Sequence, residues 1–339
     1  MGTPTRNPHL AAASATKKIL FDTDPGVDDA MALLFLHRHP AVQLLGITTV
    51  FGNAEIETTT RNALYLCERF GIDAAVARGA ARPLVRPPRG AAPEVHGEDG
   101  LGNLPGPLST TRAPDARPAH RFIIDTLRQH PGEVTLLAVG PLTNLALALA
   151  EEPAITALVD RVVVMGGAFG AGGLGGSEGV GGNVSPVAEA NILSDPHAAD
   201  AVFTAPWPVT IVGLDVTHQV LMDHACFERL RTSCGAEGAF IWDASRHYVG
   251  FYGRALGVGG CYVHDSSAVA CVVAPHLFTT RSGPVRVVEQ GIAIGQTIQH
   301  AAGRSYSHGQ AWSGVPDQGV CTAVQAQPVL DLFMQTMQR

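Results

Sequence analysis

Short runs of β-branched and other apolar residues alternate with longer helical segments from residue 17 onward. The apolar positions predict a buried strand over 18–22, a helix over 28–37 and a second strand over 42–50. A helix near 55–70 and a short strand near 74–77 continue the same order. This alternation is typical of βαβ units, so we predict an α/β fold with an open, mainly parallel sheet flanked by helices.

The alternation is interrupted over 80–118, where Pro, Gly and Arg are frequent and the pattern predicts an irregular loop. A loop of this length in a compact domain is usually functional or disordered. Gly fills more than half of positions 166–182, which predicts a mobile loop there. The remaining pattern predicts strands over 134–139, 161–165 and 208–213, a helix over 142–150 and a mainly helical region over 223–252.

One domain is expected over 17–339, because no internal repeat or linker interrupts the pattern, and residues 1–16 are expected to form a disordered tail. The 339 residues are 46% hydrophobic and 16% charged, a composition that buries one large core and argues against disorder. The net charge of -7, without any Lys/Arg-rich run, disfavours nucleic acid and anionic membranes as partners. A small-molecule partner is therefore favoured.

Neither an export signal nor a membrane span is predicted, because the apolar segment near Leu10 is short and no apolar run could cross a bilayer. We therefore expect a soluble protein. None of the six cysteines belongs to a C-x-x-C pair. In a chain of this length, that pattern favours buried thiols in a reducing, cytoplasmic compartment over a zinc site, and it leaves disulfides possible but unsupported.

The most informative segment is acidic and begins at the end of the first predicted strand: Asp22-Thr-Asp24-Pro-Gly-Val-Asp28-Asp29-Ala30. Ligands bind in the crevice beyond the carboxyl ends of parallel strands, so these carboxylates are expected to converge on a site. Like charges so close together repel unless some are protonated or a cation neutralises them. Oxygen ligands without a nearby Cys or His suit calcium or magnesium. Capping of the helix is the alternative, although capping needs only one or two of these residues.

This segment, followed by Gly46-Ile-Thr-Thr-Val-Phe-Gly-Asn53, resembles the opening of the inosine-uridine-preferring nucleoside hydrolases. The resemblance covers residues 17 to 335 and implies a Rossmann-like nucleoside hydrolase fold, with hydrolysis of ribonucleosides to ribose and free base in nucleoside salvage. Further motifs follow in the family's order: His96-Gly-Glu-Asp-Gly-Leu101, Val139-Gly-Pro-Leu-Thr-Asn144, Val164-Met-Gly-Gly167, Asn183-Val-Ser-Pro-Val-Ala-Glu189-Ala-Asn191 and Val263-His264-Asp265.

The resemblance also implies a metal site. A Ca²⁺ ion would lie at the bottom of the pocket, held by Asp24, Asp29, Asp265 and the backbone carbonyl of Val139, with Asp28 beside it. Calcium accepts about six to eight oxygens, so positions would remain for a water and for the ribose 2′- and 3′-hydroxyls. Asp24 would be the catalytic base that takes the proton from this water, whose pKa the ion would lower.

Ribose contacts are implied for Asp28, Asn183, Glu189 and Asn191, and Asn53 would line the water and metal site. The two Asn residues after the glycine-rich stretch, Asn183 and Asn191, could instead be ordinary loop residues. Ala190 stands where many relatives carry an aromatic residue, which leaves the packing near the ribose 5′ side open.

The base side is assigned by the same resemblance to His96, Tyr248, Tyr252 and His264. His264 would be catalytic and would protonate or hydrogen-bond the leaving base, while the two tyrosines would stack on it. These tyrosines lie four residues apart on one face of a predicted helix, so core packing is their alternative role. A lone His is more often structural, and Asp265 could simply cap a helix.

The sequence leaves several alternatives open. The glycine-rich stretch 170–182 exceeds the family's usual connection, and it is either a flap over the pocket or a surface insertion. A non-catalytic nucleoside-binding or sensing protein and a hydrolase of a related N-riboside are the alternative functions. A metal-dependent phosphohydrolase is disfavoured, because the sequence has no P-loop and no basic phosphate clamp. A homodimer or homotetramer is expected from the resemblance, and the base preference is not predicted.

Overall fold

The computed structural model describes residues 16–170, 181–300 and 304–339. Residues 1–15 of the predicted tail (1–16) and residues 171–180 of the possible flap (170–182) lie outside the described residues. The strands, β1 to β11 in chain order, are Lys17–Thr23, Val42–Thr49, Val76–Arg78, Val134–Ala138, Val159–Met165, Val209–Val212, Leu221–Asp223, Gly260–Tyr262, Phe278–Val287, Thr297–Gln299 and Asp317–Val324. The α-helices, α1 to α12, are Val27–Arg38, Ile56–Phe70, Pro93–His96, Ala119–Gln129, Thr143–Glu151, Ala190–Ser194, Pro196–Thr204, Leu214–Thr217, His224–Ser233, Gly235–Leu256, His264–Val273 and Ala326–Met337.

Nine of these strands form one sheet in the order β10-β9-β11-β6-β5-β4-β1-β2-β3. Seven neighbouring strands of this sheet pair in parallel: β3, β2, β1, β4, β5, β6 and β11. Strand β9 is antiparallel to both β10 and β11. The predicted open, mainly parallel α/β sheet is therefore confirmed. The antiparallel edge was not predicted from the sequence. Strands β7 and β8 form a separate antiparallel ribbon.

Strand β1 lies inside the sheet, paired with β2 on one side and with β4 on the other. Its apolar side chains alternate between the two faces: Ile19 and Phe21 pack in one core, and Leu20 packs in the core on the opposite face. Both faces of a parallel sheet are covered by helices, so such a strand is apolar at consecutive positions. This burial explains why the residues before Asp22 are apolar at consecutive positions and not at every second position.

The carboxyl ends of the parallel strands meet at one edge of the sheet, which is where ligands bind in folds of this type. Strand β1 leads there into Asp24, β2 into Asn53 and β4 into Val139. Helix α10 and the start of α11 approach the same edge, as their contacts with α1 show. Within the described ranges, no helix combines the length and apolar character needed to cross a membrane.

Candidate active site

Four buried carboxylates converge beyond the end of β1. Asp24 follows the strand, Asp28 and Asp29 lie in the first turn of α1, and Asp265 lies in the first turn of α11. Oxygens of Asp28, Asp29 and Asp265 lie within 4.8 Å of one another. Three of the four carboxylates of the acidic segment therefore converge as predicted, together with Asp265, which the resemblance had assigned to the metal. Asp22 does not line the cavity, and its Oδ1 instead accepts hydrogen bonds from the Thr48 hydroxyl and the Asn144 side-chain amide.

Asp29 is held by hydrogen bonds from several directions. Its Oδ1 accepts a hydrogen bond from the Thr23 hydroxyl at 2.5 Å, and its Oδ2 accepts from the Gly26 backbone N–H and from the Asn53 side-chain amide, both at 2.9 Å. Because Gly26 is the residue that precedes α1, Asp29 also caps this helix. The capping alternative is therefore correct for Asp29, and it does not account for the other carboxylates.

Asp24 is packed tightly between two glycines. Its Oδ2 accepts a hydrogen bond from the Asn53 backbone N–H at 2.8 Å. A Cβ atom added at Gly52 would lie 2.0 Å from Asp24 Oδ2, and one added at Gly140 would lie 2.6 Å from Asp24 Oδ1. Only glycine leaves room for the carboxylate at these two positions, so the loops after β2 and β4 fix the orientation of Asp24.

Two carboxylate oxygens in this cluster, Asp24 Oδ1 and Asp28 Oδ1, are buried and have no hydrogen-bond partner among the described residues. Burial, reinforced by the neighbouring charge of Asp29, raises the pKa of both Asp24 and Asp28. Burial and the other aspartates likewise raise the pKa of Asp265. A cation among these groups would reverse the effect by favouring their ionised forms. The buried oxygen donors, without any Cys or His in the cluster, fit a hard divalent ion such as calcium or magnesium.

The predicted ribose-binding residues lie beside this cluster. Glu189 is buried and accepts hydrogen bonds from the backbone N–H groups of Gly167, Asn191 and Ile192 at 2.9 to 3.1 Å, which fixes its carboxylate at the start of α6. Asn183 accepts a hydrogen bond from the Ala190 backbone N–H at 3.0 Å. Both side chains line the same cavity.

Asn191 donates its side-chain amide to the Val139 carbonyl at 2.7 Å and to the Met165 carbonyl at 3.2 Å. The Val139 carbonyl, predicted to be a metal ligand, therefore has a protein partner. A carbonyl oxygen has two lone pairs, so one remains for an ion. Asn191 thereby joins the ends of β4 and β5 at the cavity floor.

The opposite wall of the cavity is aromatic. Tyr248 and Tyr252 project from α10 with ring centroids 5.0 Å apart in an edge-to-face arrangement. The Tyr252 hydroxyl lies 2.7 Å from His264 Nε2, and the Thr217 hydroxyl lies 2.8 Å from His264 Nδ1. Burial lowers the pKa of His264 well below its ordinary value. Both tyrosines that the resemblance assigns to the base therefore line the cavity, and the Tyr252 hydroxyl contacts the predicted catalytic histidine.

His96 completes this wall at the end of α3. Its Nδ1 accepts a hydrogen bond from the Val27 backbone N–H at 3.2 Å, so its proton resides on Nε2. Burial lowers the pKa of His96 to about 3, which keeps the ring neutral. The following turn is built on Asp99, whose carboxylate accepts hydrogen bonds from three backbone N–H groups, those of Leu101, Asn103 and Leu104.

A cavity of about 450 Å³ joins the two walls. Among the predicted site residues, Asp29 alone does not line it and lies behind the cavity floor. The predicted residues that line it are Asp24, Asp28, Asn53, His96, Val139, Asn183, Glu189, Asn191, Tyr248, Tyr252, His264 and Asp265. Their individual roles stay predictions.

Several lining residues were missed by the sequence reasoning, among them Arg89, His218 and Phe251. His218 comes just after α8, in the segment that follows β6. Its place beyond the carboxyl end of a parallel strand is a signal that could have identified it. No pattern in the sequence marks Arg89 or Phe251.

Comparison with known proteins gives consistent results. The family profile described as inosine-uridine preferring nucleoside hydrolase matches residues 19–331. The probable uridine nucleosidase 1 of Oryza sativa subsp. japonica is 41% identical over 92% of this chain and 94% of that protein. The inosine-uridine preferring nucleoside hydrolase of Leishmania major is 40% identical over 83% of this chain and 87% of that protein. A solved plant nucleoside hydrolase superposes with a TM-score of 0.89 at 36% identity, covering 95% of this chain and 99% of that one.

Proposed function

The chain belongs to the inosine-uridine preferring nucleoside hydrolase family, and on that premise we propose that it cleaves ribonucleosides with calcium held by Asp24, Asp29, Asp265 and the Val139 carbonyl. The resemblance predicted from the motifs is confirmed, and so is the class of enzyme, a hydrolase acting on N-glycosyl compounds. The family is metal-dependent, and the acidic cluster could hold a metal ion. The choice of calcium and the role of each residue are parts of the proposal.

One observation carries this proposal: a cavity with carboxylates at its floor and aromatic rings on the opposite wall. A ribonucleoside has the same two ends, because its ribose presents hydroxyls and its base presents a flat ring. Carboxylates accept hydrogen bonds from hydroxyls, and tyrosine rings pack against planar bases. The cavity of about 450 Å³ also has the size of a small-molecule site.

Hydrolysis breaks the bond between C1′ and the base nitrogen, and the oxygen of a water molecule bonds to C1′. When bound, calcium would hold ribose hydroxyls and lower the pKa of the attacking water. Asp24 would accept the proton of that water at Oδ1, its oxygen without a protein partner among the described residues, while Asn53 keeps Oδ2 in place. Positive charge that develops on the ribosyl ring would be stabilised by the surrounding carboxylates.

Glu189, Asn183, Asn191 and Asp28 would orient the ribose. The three backbone N–H groups on Glu189 hold its carboxylate rigid, so it can accept a ribose hydroxyl without reorganising. Tyr248, Tyr252 and His96 would face the base, with His264 behind the Tyr252 hydroxyl. Fixed groups of this kind favour the one pose in which the water is aligned with the scissile bond.

The proposal extends to the setting of the reaction. We place it in the cytoplasm, where reduced thiols persist, because all six cysteines are free and buried. A single domain over 17–339 is supported by the continuous sheet from β1 to β11. A homodimer or homotetramer is proposed on the resemblance to the family.

The experiment that tests the function measures release of reducing sugar from inosine, uridine, adenosine, guanosine and cytidine. Each nucleoside is assayed with the enzyme as purified, after chelation, and after addition of calcium or of magnesium. Ribose release that chelation abolishes and calcium restores supports the proposal. Binding of nucleoside and calcium without any release of ribose would favour the alternative of a nucleoside-binding protein. Recovery of activity with magnesium but not with calcium would show that magnesium is the bound ion.

A further inference from the structure

His264 is the histidine that the resemblance assigns to the leaving base, yet both of its ring nitrogens are already engaged. Nδ1 lies 2.8 Å from the Thr217 hydroxyl, and Nε2 lies 2.7 Å from the Tyr252 hydroxyl. An imidazole has only two nitrogens that donate or accept hydrogen bonds. In this arrangement His264 reaches the base through the Tyr252 hydroxyl and not directly.

A second histidine, His218, lies in the same wall. Its ring stacks on Tyr262 with centroids 4.5 Å apart and an interplanar angle of 22°, and its centroid is 5.4 Å from that of His264. His218 is half-buried and lines the cavity. Within residues 16–170, 181–300 and 304–339, neither of its ring nitrogens makes a hydrogen bond. The stacking therefore fixes the plane of the ring and leaves its polar edge available.

The position of His218 is set by the ribbon of β7 and β8. Met222 pairs with Cys261 and Leu221 pairs with Tyr262, which places the segment after α8 beside the start of α11. In addition, the Val263 backbone N–H donates to the Val220 carbonyl at 3.1 Å. His218 precedes β7 and His264 follows β8, so the paired strands of the ribbon hold the two histidines close to each other.

His218 is a neutral ring in this environment. Burial lowers its pKa from the ordinary value, and the nearby charge of Asp215 opposes this effect only in part. A neutral imidazole carries one N–H donor and one acceptor nitrogen. It can therefore form a hydrogen bond to a heteroatom of the base without bringing a full charge into the cavity.

We propose that His218 contacts the nucleobase directly and donates an N–H hydrogen bond to it as the glycosidic bond breaks. This inference rests on the proposed ribonucleoside hydrolysis and adds a residue to it. When the bond between C1′ and the base nitrogen breaks, its electron pair moves onto the base. The hydrogen bond from His218 then strengthens as negative charge accumulates there. The attacking water supplies both the hydroxyl that bonds to C1′ and the proton that finally neutralises the base.

The test compares leaving groups. His218→Phe keeps an aromatic ring against Tyr262 and removes both polar atoms, and His218→Gln restores a side-chain N–H. The substrates are uridine and inosine, whose bases need stabilisation as they leave, and p-nitrophenyl β-D-ribofuranoside, whose phenolate leaves without it. His276→Phe, at an exposed position away from the cavity, is the matched control.

His218→Phe is expected to lower kcat for uridine and inosine about 10- to 100-fold, the loss typical of one hydrogen bond to a charged group. The p-nitrophenyl substrate should change by less than about 3-fold, because its transition state needs no such bond. His218→Gln should recover part of the loss. Equal losses on all three substrates would show a structural role, and unchanged constants would exclude the contact; either result overturns the inference. An inactive wild-type enzyme would instead overturn the proposed function itself.

Discussion

The two ends of the cavity are built in different ways. At the carboxylate end, the backbone does most of the positioning: N–H groups of Gly26 and Asn53 hold Asp29 and Asp24, and glycines leave the space that Asp24 needs. At the aromatic end, side chains hold side chains. Thr217, Tyr252 and His264 come from three separate segments and are joined by two hydrogen bonds.

This difference indicates that the carboxylate end carries out catalysis and that the aromatic end determines which base is preferred. Groups placed by backbone N–H bonds at strand ends lose little freedom when they act, which suits a reaction that needs fixed charge. A network of side chains can be altered one residue at a time without disturbing the sheet. We therefore expect substitutions at the carboxylate end to abolish turnover of every substrate, and those at the aromatic end to act more on some bases than on others.

The largest effect is expected from Asp24→Ala. Loss of the group that accepts the proton of water should lower kcat about 10³- to 10⁴-fold for every nucleoside, since general base catalysis contributes on the order of 10² to 10⁴ and the metal site is also damaged. Steady-state kinetics on uridine and inosine measures this loss. Asp243→Ala, on the exposed face of α10, is the control. Near-normal activity would remove Asp24 from this role.

Removal of calcium should have the next largest effect, and on stability as well as activity. An ion that binds only the folded state stabilises it by about 2.7 kcal/mol at a concentration of 100 times its Kd. Thermal unfolding should shift to lower temperature after chelation and return when calcium is added. The shift should disappear in Asp265→Asn, which removes a charge from the cluster. A melting temperature that changes neither with chelator nor with added calcium would contradict the proposed metal site.

A smaller effect is expected from Gly102→Ala, at the turn that follows His96. This glycine has a φ of +81°, and an added Cβ would lie 1.9 Å from the Ala244 carbonyl oxygen of α10. Backbone strain and the clash should lower the free energy of unfolding by about 1 to 3 kcal/mol. Chemical denaturation measures the loss. Gly106→Ala, which also has a positive φ but open space around it, isolates the contribution of the clash to α10.

The smallest effect is expected from Tyr252→Phe, which removes the hydroxyl next to His264 while keeping the ring. Loss of one hydrogen bond between neutral groups should lower kcat about 10-fold, and the factor should differ between uridine and inosine. Thr217→Val removes the other partner of His264. If the two act through that histidine, the double variant should lose less than the product of the single losses. An equal loss of kcat for every base would contradict the assignment of base preference to the aromatic end of the cavity.

The sequence predicted the site best where the functional residues lie close together along the chain. The order of strand, acidic turn and helix at 18–37 predicted both β1 and the cluster, because Asp24, Asp28 and Asp29 lie in one short segment. The strand predicted near 74–77 is Val76–Arg78 in the structure, a small shift typical of strand ends.

Long-range pairing was not predictable in the same way. The antiparallel arrangement of β9, β10 and β11 depends on partners far apart in sequence, and an apolar run does not specify its neighbour. The contacts of His218 were unpredictable for a similar reason, since its relation to Tyr262 and His264 arises from the β7–β8 ribbon. The loop predicted over 80–118 is irregular apart from the short α3, and it gains order from contacts such as those of Asp99.

The place of β11 in the sheet has a consequence during synthesis on the ribosome. This strand comes after every other described strand in the chain, yet it lies between β6 and β9. Roughly 100 residues separate the end of β6 from the start of β11, so at about 5 to 20 residues per second the nascent chain carries an unpaired β6 edge for roughly 5 to 20 s. An open apolar edge is a site of intermolecular pairing. Variants that weaken the pairing of β11 with β6 should therefore reduce the yield of folded enzyme before they reduce the turnover of each folded molecule.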